Sequence, residues 1–169
     1  GHRGAKGNGL TNTLAAMRYA LEQGADGLEF DVRLTKDGIP VVIHDDTLLL
    51  TRGINRSVRT LTLQELNNLS SDKPVPTLNQ VLDEFWGNTY LNIELKSKDS
   101  GHAVISLLAS RYIIHEDDWQ NCLISSFKTR ELSEARRLAP LARLALLHGQ
   151  NPFVFLLYQR HLRFAGIGF

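Results

Sequence analysis

Apolar and polar residues alternate with a period of two in two separate stretches, and the remaining pattern is arranged around them. In Leu28-Glu29-Phe30-Asp31-Val32, the side chains of Leu28, Phe30 and Val32 point one way and those of Glu29 and Asp31 the other. In Leu91-Asn92-Ile93-Glu94-Leu95-Lys96, apolar and polar positions alternate again. A helical pattern precedes each strand. The first runs from Thr13 to about Gln23, with Leu14, Met17 and Leu21 as its apolar face, Thr11 or Thr13 as cap and Gly24 as stop. The second opens at Thr77, after Pro74 and Pro76, and runs to about Phe85 with Leu78, Val81, Leu82 and Phe85 on one side.

The first strand is expected to turn back through a tight hairpin. Lys36-Asp37-Gly38 carries an Asp-Gly turn signal, and Ile39–Ile43 is a β-branched run in which Pro40 suits a strand's first residues. A turn centred on Lys36–Asp37 sets His44 level with Glu29, to within one pair. Thr47–Pro76 is mostly polar and reads as an excursion away from the core, with one short helix capped by Thr62 and a capping box completed by Glu65. Beyond the second strand the alternation continues. It predicts a helix over His102–Tyr112, a strand over Cys122–Phe127, a helix over Thr129–Leu138, a strand over Leu141–His148, a helix over Phe153–His161 and a strand from Ala165. Such βα repetition marks a parallel sheet or barrel.

A chain of 169 residues is enough for one domain, taken as 1–169 with 47–76 as a small insertion within it. With 43% hydrophobic and 22% charged residues, and no apolar run of transmembrane length, the composition is that of a soluble globular protein without a membrane span. A net charge of +1 supplies no basic field, so no nucleic-acid partner is expected. Cys122 has no second cysteine to pair with and reads as a buried structural thiol. The chain starts at Gly1 rather than Met, so the start reads as cut; the cytoplasm is the expected compartment, with a periplasmic or secreted location left open.

The chemistry lies on the polar strand faces. Glu29 and Asp31 repel unless something positive lies between them; a bound cation is one compensation and a solvated acidic face the other, and this strand alone does not choose. The second strand adds Glu94 and Lys96 to the same kind of face. In a β/α barrel, inward residues near the C-terminal strand ends line the active-site mouth, whereas a merely wet sheet face would carry Thr, Ser and Gln. Gly1–Gly9 is a glycine-rich loop of the kind that lends N–H groups to anions, a weak signal alone. His102, His115, His148 and His161 lack acidic neighbours at strand-face spacing and read as structural or surface residues.

Taken in order, His2-Arg3-Gly4, Asn12-Thr13-Leu14-Ala15, Gly24-Ala25-Asp26, Glu29-Phe30-Asp31-Val32, Thr35-Lys36-Asp37-Gly38, Val41-Val42-Ile43-His44-Asp45, Pro76-Thr77-Leu78 and Ile93-Glu94-Leu95-Lys96 resemble the glycerophosphodiester phosphodiesterase family. The resemblance is dense to Lys96 and thinner through Ser125-Ser126-Phe127 and Gly166-Ile167. It implies a TIM-type β/α barrel with a small insertion after the second strand, here incomplete: the start of the first strand and the C-terminal strands are expected to be missing. It further implies hydrolysis of glycerophosphodiesters, such as glycerophosphocholine, to glycerol 3-phosphate and an alcohol.

By the same resemblance, Glu29, Asp31 and Glu94 match metal ligands, and all-oxygen ligation suits Ca²⁺ or Mg²⁺, with Mn²⁺ as a third candidate. His2 and His44 match the acid–base pair, a task suited to an imidazole titrating near neutral pH. Arg3 and Lys96 match residues that pair with phosphate oxygens. One departure is local: Leu10-Thr11-Asn12-Thr13 stands where the family usually has Pro-Glu-Asn-Thr, so a carboxylate is lost at Thr11. Two alternatives remain beside hydrolysis of glycerophosphodiesters: a catalytically impaired relative that binds phosphate ligands, and a sphingomyelinase D-like phosphodiesterase.

Overall fold

A β/α architecture places the two alternating stretches side by side. In the computed structural model, which describes residues 1–5, 11–70 and 74–148, β1 (Gly27–Leu34) pairs in parallel with β3 (Tyr90–Leu95), which pairs with β4 (Cys122–Ser126) and that in turn with β5 (Leu144–Leu146). The antiparallel β2 (Pro40–Val42) completes a five-stranded sheet in the order β2-β1-β3-β4-β5. This is the expected α/β class, with the strand-and-helix alternation of a TIM-type barrel; among the described residues the sheet is open. The expected helix at 153–161, the strand from 165, His161 and residues 6–9 of the glycine-rich loop lie outside the described residues.

Apolar strand faces and helix stripes form one core. Phe30, Val32, Ile93 and Ile124 are fully buried, joined by Met17 of α1 (Leu14–Glu22), Val81 and Leu82 of α4 (Leu78–Phe85), Val104 and Leu108 of α5 (Ser100–Arg111), and Leu132 and Ala135 of α6 (Thr129–Leu138). The helix starts follow their side chains: Thr13 accepts from the Ala16 N–H, and Thr77 forms a capping box with Gln80. On α1 the buried stripe is Ala16, Met17 and Ala20, not the expected Leu14, Met17 and Leu21; Leu14 and Leu21 are half-buried at its edges. Small residues face inward there because the first loop approaches closely. Gly4 has φ +77°, and a Cβ on it would meet the Ala16 backbone at 2.8 Å.

The hairpin differs from expectation in its turn. Leu34 pairs with Pro40, so five residues, 35–39, form the connection. Thr35 organises it: its hydroxyl donates to Asp37 Oδ1 (2.6 Å) and accepts from the Ile39 N–H (3.0 Å), while Gly38 takes the left-handed φ of 78°. Because Val32 pairs with Val42, extending the register sets His44 opposite Phe30, one pair from the expected Glu29.

The excursion is more than a polar detour. It holds α2 (Leu49–Arg52), a 3₁₀ turn at Val58–Thr60 and α3 (Leu63–Leu69), where only one helix was expected. The Thr62/Glu65 capping box is present as read from the sequence. Val41, Ile43, Leu48, Val58, Leu61, Leu66 and Val75 form a second apolar cluster, which spacing did not reveal because its members come from separate short elements. The last strand is likewise shorter than the expected Leu141–His148, and an unforeseen 3₁₀ helix at Glu116–Asn121 buries Trp119.

Candidate active site

The site is built by strand register. Parallel pairing sets Asp31 of β1 directly beside Glu94 of β3, with Glu29 one pleat back on the same face. Oxygens of Glu29, Asp31 and Glu94 can all lie within 4.8 Å of one another. Asp31 is 1% exposed and Glu94 6%, so the acids are not a solvated surface. Burial is the largest influence on Glu29, whose carboxyl is pushed up to about 7; the Arg3 N–H opposes the rise, and the Asp31 and Glu94 charges add to it. Glu94 is also raised by burial, with Lys96 opposing.

Positive groups converge on these acids. Lys96 Nζ stands 2.6 Å from Glu94 Oε1 and 3.2 Å from Asp31 Oδ1, and Arg3 Nε stands 3.3 Å from Asp31 Oδ2. Ion-pair distance is not hydrogen-bond geometry here: Asp31 Oδ1, Glu94 Oε1 and Arg3 Nε are buried and make no well-aligned hydrogen bond. Three clustered carboxylates, two of whose buried oxygens have the Lys96 amine as their shared partner, form an oxygen-donor set that suits a hard cation, so these residues can hold a divalent ion.

His2 and His44 flank the acids from two chain segments. His2 lies on the edge of β1 away from β3, in a parallel bridge to Glu29, with its Nε2 3.6 Å from Glu29 Oε2. His44 arrives from β2 through Ile43, whose N–H donates to the Asp31 carbonyl at 2.9 Å. Its Nδ1 meets Asp45 Oδ1 at 2.7 Å. Arg33 fixes the backbone there, donating from Nε to the His44 carbonyl (2.8 Å) and from Nη1 to Asp46 (3.1 Å).

Six of the seven residues singled out from the sequence are therefore in contact at one pole of the sheet, whereas His44 is tied to it through the backbone, by the bond from its neighbour Ile43 to Asp31. Sequence reasoning gave no role to Asp45, Arg33 or Asn12. Asp45 stood in a quoted motif beside His44, a readable signal. Arg33 could not be found, because its hairpin contact depends on the five-residue turn. Among the remaining histidines, His102 is an exposed ion-pair partner of Glu134 at 3.5 Å, and His115 caps a 3₁₀ helix. Both keep the surface role expected of them.

A sequence profile of the "Glycerophosphoryl diester phosphodiesterase family" matches residues 2–166. A protein of Caldanaerobacter subterraneus named glycerophosphodiester phosphodiesterase is 35% identical over 157 residues, covering 87% of this chain and 65% of that protein. Human glycerophosphodiester phosphodiesterase 1 is 30% identical over 158 residues, covering 87% of this chain and 47% of its own length. The chain thus spans from about half to two thirds of these relatives. The crystal structure of the Thermotoga maritima glycerophosphodiester phosphodiesterase superposes with a TM-score of 0.81 at 30% identity, over 99% of this chain and 69% of that one. An Oleispira antarctica phosphodiesterase in complex with the product sn-glycerol-3-phosphate gives 0.73 at 26% identity, over 98% and 70%.

Proposed function

This chain belongs to the glycerophosphoryl diester phosphodiesterase family, and from that premise we propose that it hydrolyses glycerophosphodiesters to glycerol 3-phosphate and an alcohol, with a divalent cation at Glu29, Asp31 and Glu94. The observation that supports this most directly is the pairing of Asp31 with Glu94, which gathers their buried carboxylates with that of Glu29 within 4.8 Å. Ca²⁺ or Mg²⁺ is the expected ion, since every donor is a carboxylate oxygen. Once bound, the ion would supply fixed positive charge for the phosphate oxygens.

Arg3 and Lys96 are then drawn on for the same anion. Each now leans on carboxylates that a cation would neutralise, so their charges become available to phosphate. His44 directs Nδ1 to Asp45, which makes Nε2 the atom that takes or gives a proton, and His2, from the segment bridged to Glu29, serves as the second acid–base group. Glycerophosphocholine is the substrate proposed for the first trial.

The test is incubation of the chain with glycerophosphocholine, with Ca²⁺ or Mg²⁺ and with chelator. Release of glycerol 3-phosphate only in the presence of metal is expected. Metal binding without turnover would favour the impaired relative, and turnover of sphingomyelin alone the sphingomyelinase-like reading.

A further inference from the structure

We propose that Asn12 is a positioning residue for the cation site, its carboxamide clamping Asp31 so that one carboxylate oxygen is presented to the ion; this rests on the cation reading above. Asn12 is 5% exposed. Its Nδ2 donates to Asp31 Oδ2 at 2.9 Å, and its Oδ1 accepts from the Asp31 backbone N–H at 3.1 Å. A carboxamide donates and accepts from separate atoms, so one side chain reaches both the carboxylate and the backbone of the same residue.

The acceptance closes a gap in the sheet edge. On that edge of β1, Glu29 pairs with the Gly1–Gly4 segment and the Asp31 carbonyl with Ile43, which leaves the Asp31 N–H between them for Asn12. The donation does something edge pairing does not require. With Oδ2 held by Asn12, Asp31 Oδ1 is the oxygen left without a hydrogen bond, and it lies on the Glu94 side, within 3.2 Å of the same Lys96 amine that reaches Glu94 Oε1.

The backbone supports the clamp. Asn12 sits at φ 59°, a left-handed conformation that Asn tolerates, and its N–H donates to the Arg3 carbonyl at 2.9 Å. Arg3, itself at φ 53°, donates its N–H to Glu29 Oε2 at 2.9 Å. The two ends of this loop are tied together, and each end holds one carboxylate.

Asn12→Gly keeps the left-handed backbone without strain and removes the carboxamide together with its methylene. Calorimetric titration of the whole chain with Ca²⁺ and with Mg²⁺ should show Kd weakened by about 10–100-fold in the variant, the scale of a lost partner to a ligating group. Lower thermal stability with unchanged Kd would make Asn12 purely structural and overturn the proposal. NMR of the unsubstituted chain gives a second reading: an Asn12 side-chain N–H should exchange slowly with solvent and shift on adding the ion. Exchange at the free-amide rate overturns the clamp, whatever the variant does. Failure of the unsubstituted chain to bind either ion overturns the cation reading and this inference with it, whereas normal binding by both chains overturns this inference alone.

Discussion

The acidic pole of β1 and β3 and the apolar cluster drawn from residues 41–75 both adjoin β1, yet they are built on opposite terms. At the pole, three carboxylates are packed together and offset by only two cationic side chains, Arg3 and Lys96, an arrangement that a bound cation would complete. In the neighbouring cluster, Val41, Leu48, Val58, Leu61 and Leu66 are wholly buried and contain no such debt. The regions meet at β2 and the residues just after it, where Val41 and Ile43 pack into the excursion's cluster while the Ile43 N–H bonds the Asp31 carbonyl. A polar site is thereby joined to a short strand whose own burial is supplied next door. The difference teaches that the segment leading to His44 is held by apolar packing of the excursion and not by the acids themselves.

The largest effect that would separate the two regions is on turnover. His44→Ala should lower kcat by about 10²–10⁴-fold, the usual scale for a positioned proton-transfer group. The unfolding temperature should move little, since His44 is half-buried and makes its side-chain contact with Asp45. Steady-state kinetics beside thermal unfolding reads both, and near-normal kcat would remove His44 from the mechanism.

The mirror-image change lies in the cluster. Leu66 is fully buried, so Leu66→Ala should destabilise by about 2–5 kcal/mol through lost burial and the cavity left behind. Where the variant remains folded, kcat should stay within a small factor of the original. A large kcat loss at full folding would mean that the excursion shapes the chemistry directly, and the division drawn here would fail.

Sequence legibility follows the same division. The pole was readable because a two-residue period forces Glu29 and Asp31, and separately Glu94 and Lys96, onto one face; parallel pairing then had only to bring the faces together. Helices α4 and α6 were equally plain, one from its Thr77 cap and apolar stripe, the other matching Thr129–Leu138 residue for residue. The excursion was not, because its cluster draws single residues from β2, a 3₁₀ turn, α3 and loops, and no period links them. The hairpin register fell within the one pair expected, and its remaining offset reflects the five-residue turn that Thr35 organises, which the Asp-Gly signal alone does not show. Asn12 was visible as a motif letter, but its contact with Asp31 joins residues far apart in the chain.

A smaller effect than either substitution concerns pH in the absence of metal. Burial holds the Glu29 carboxyl at about 7 and raises Glu94 as well, so the folded state binds these protons more tightly than the unfolded chain does. For a raised acid the contribution is fully present below the ordinary carboxylate value near 4.5 and is lost as pH rises through about 7. Protein treated with chelator should therefore lose stability across that interval, and Ca²⁺ or Mg²⁺ should restore it at the upper end. Urea unfolding at pH 5 and pH 7.5, with and without the ion, checks this; a chelated protein equally stable at both would show that the pole carries no such repulsion.

The smallest expected effect falls wholly on the apolar side of the comparison. Thr62 accepts from the Glu65 N–H at 3.2 Å, and the Glu65 carboxylate accepts in return from the Thr62 N–H at 2.8 Å and from its hydroxyl at 3.0 Å. Those bonds hold the Glu65 carboxyl below its ordinary range, led by the Thr62 N–H. Thr62→Ala removes both hydroxyl contacts and should cost about 1 kcal/mol at neutral pH, the typical loss for an N-cap. The sign with pH is opposite to that at the pole. A depressed acid contributes stability above its unfolded value and loses it as pH falls through the folded one, so the gap between Thr62→Ala and the original should narrow on acidification below about 4.5. Glu65 is exposed, and salt should weaken its share further. Urea unfolding of the pair at pH 7 and pH 3 reads the difference. An unchanged gap would assign the whole cap to the Thr62 hydroxyl, and no gap at either pH would show that the buried cluster holds α3 without help from its cap.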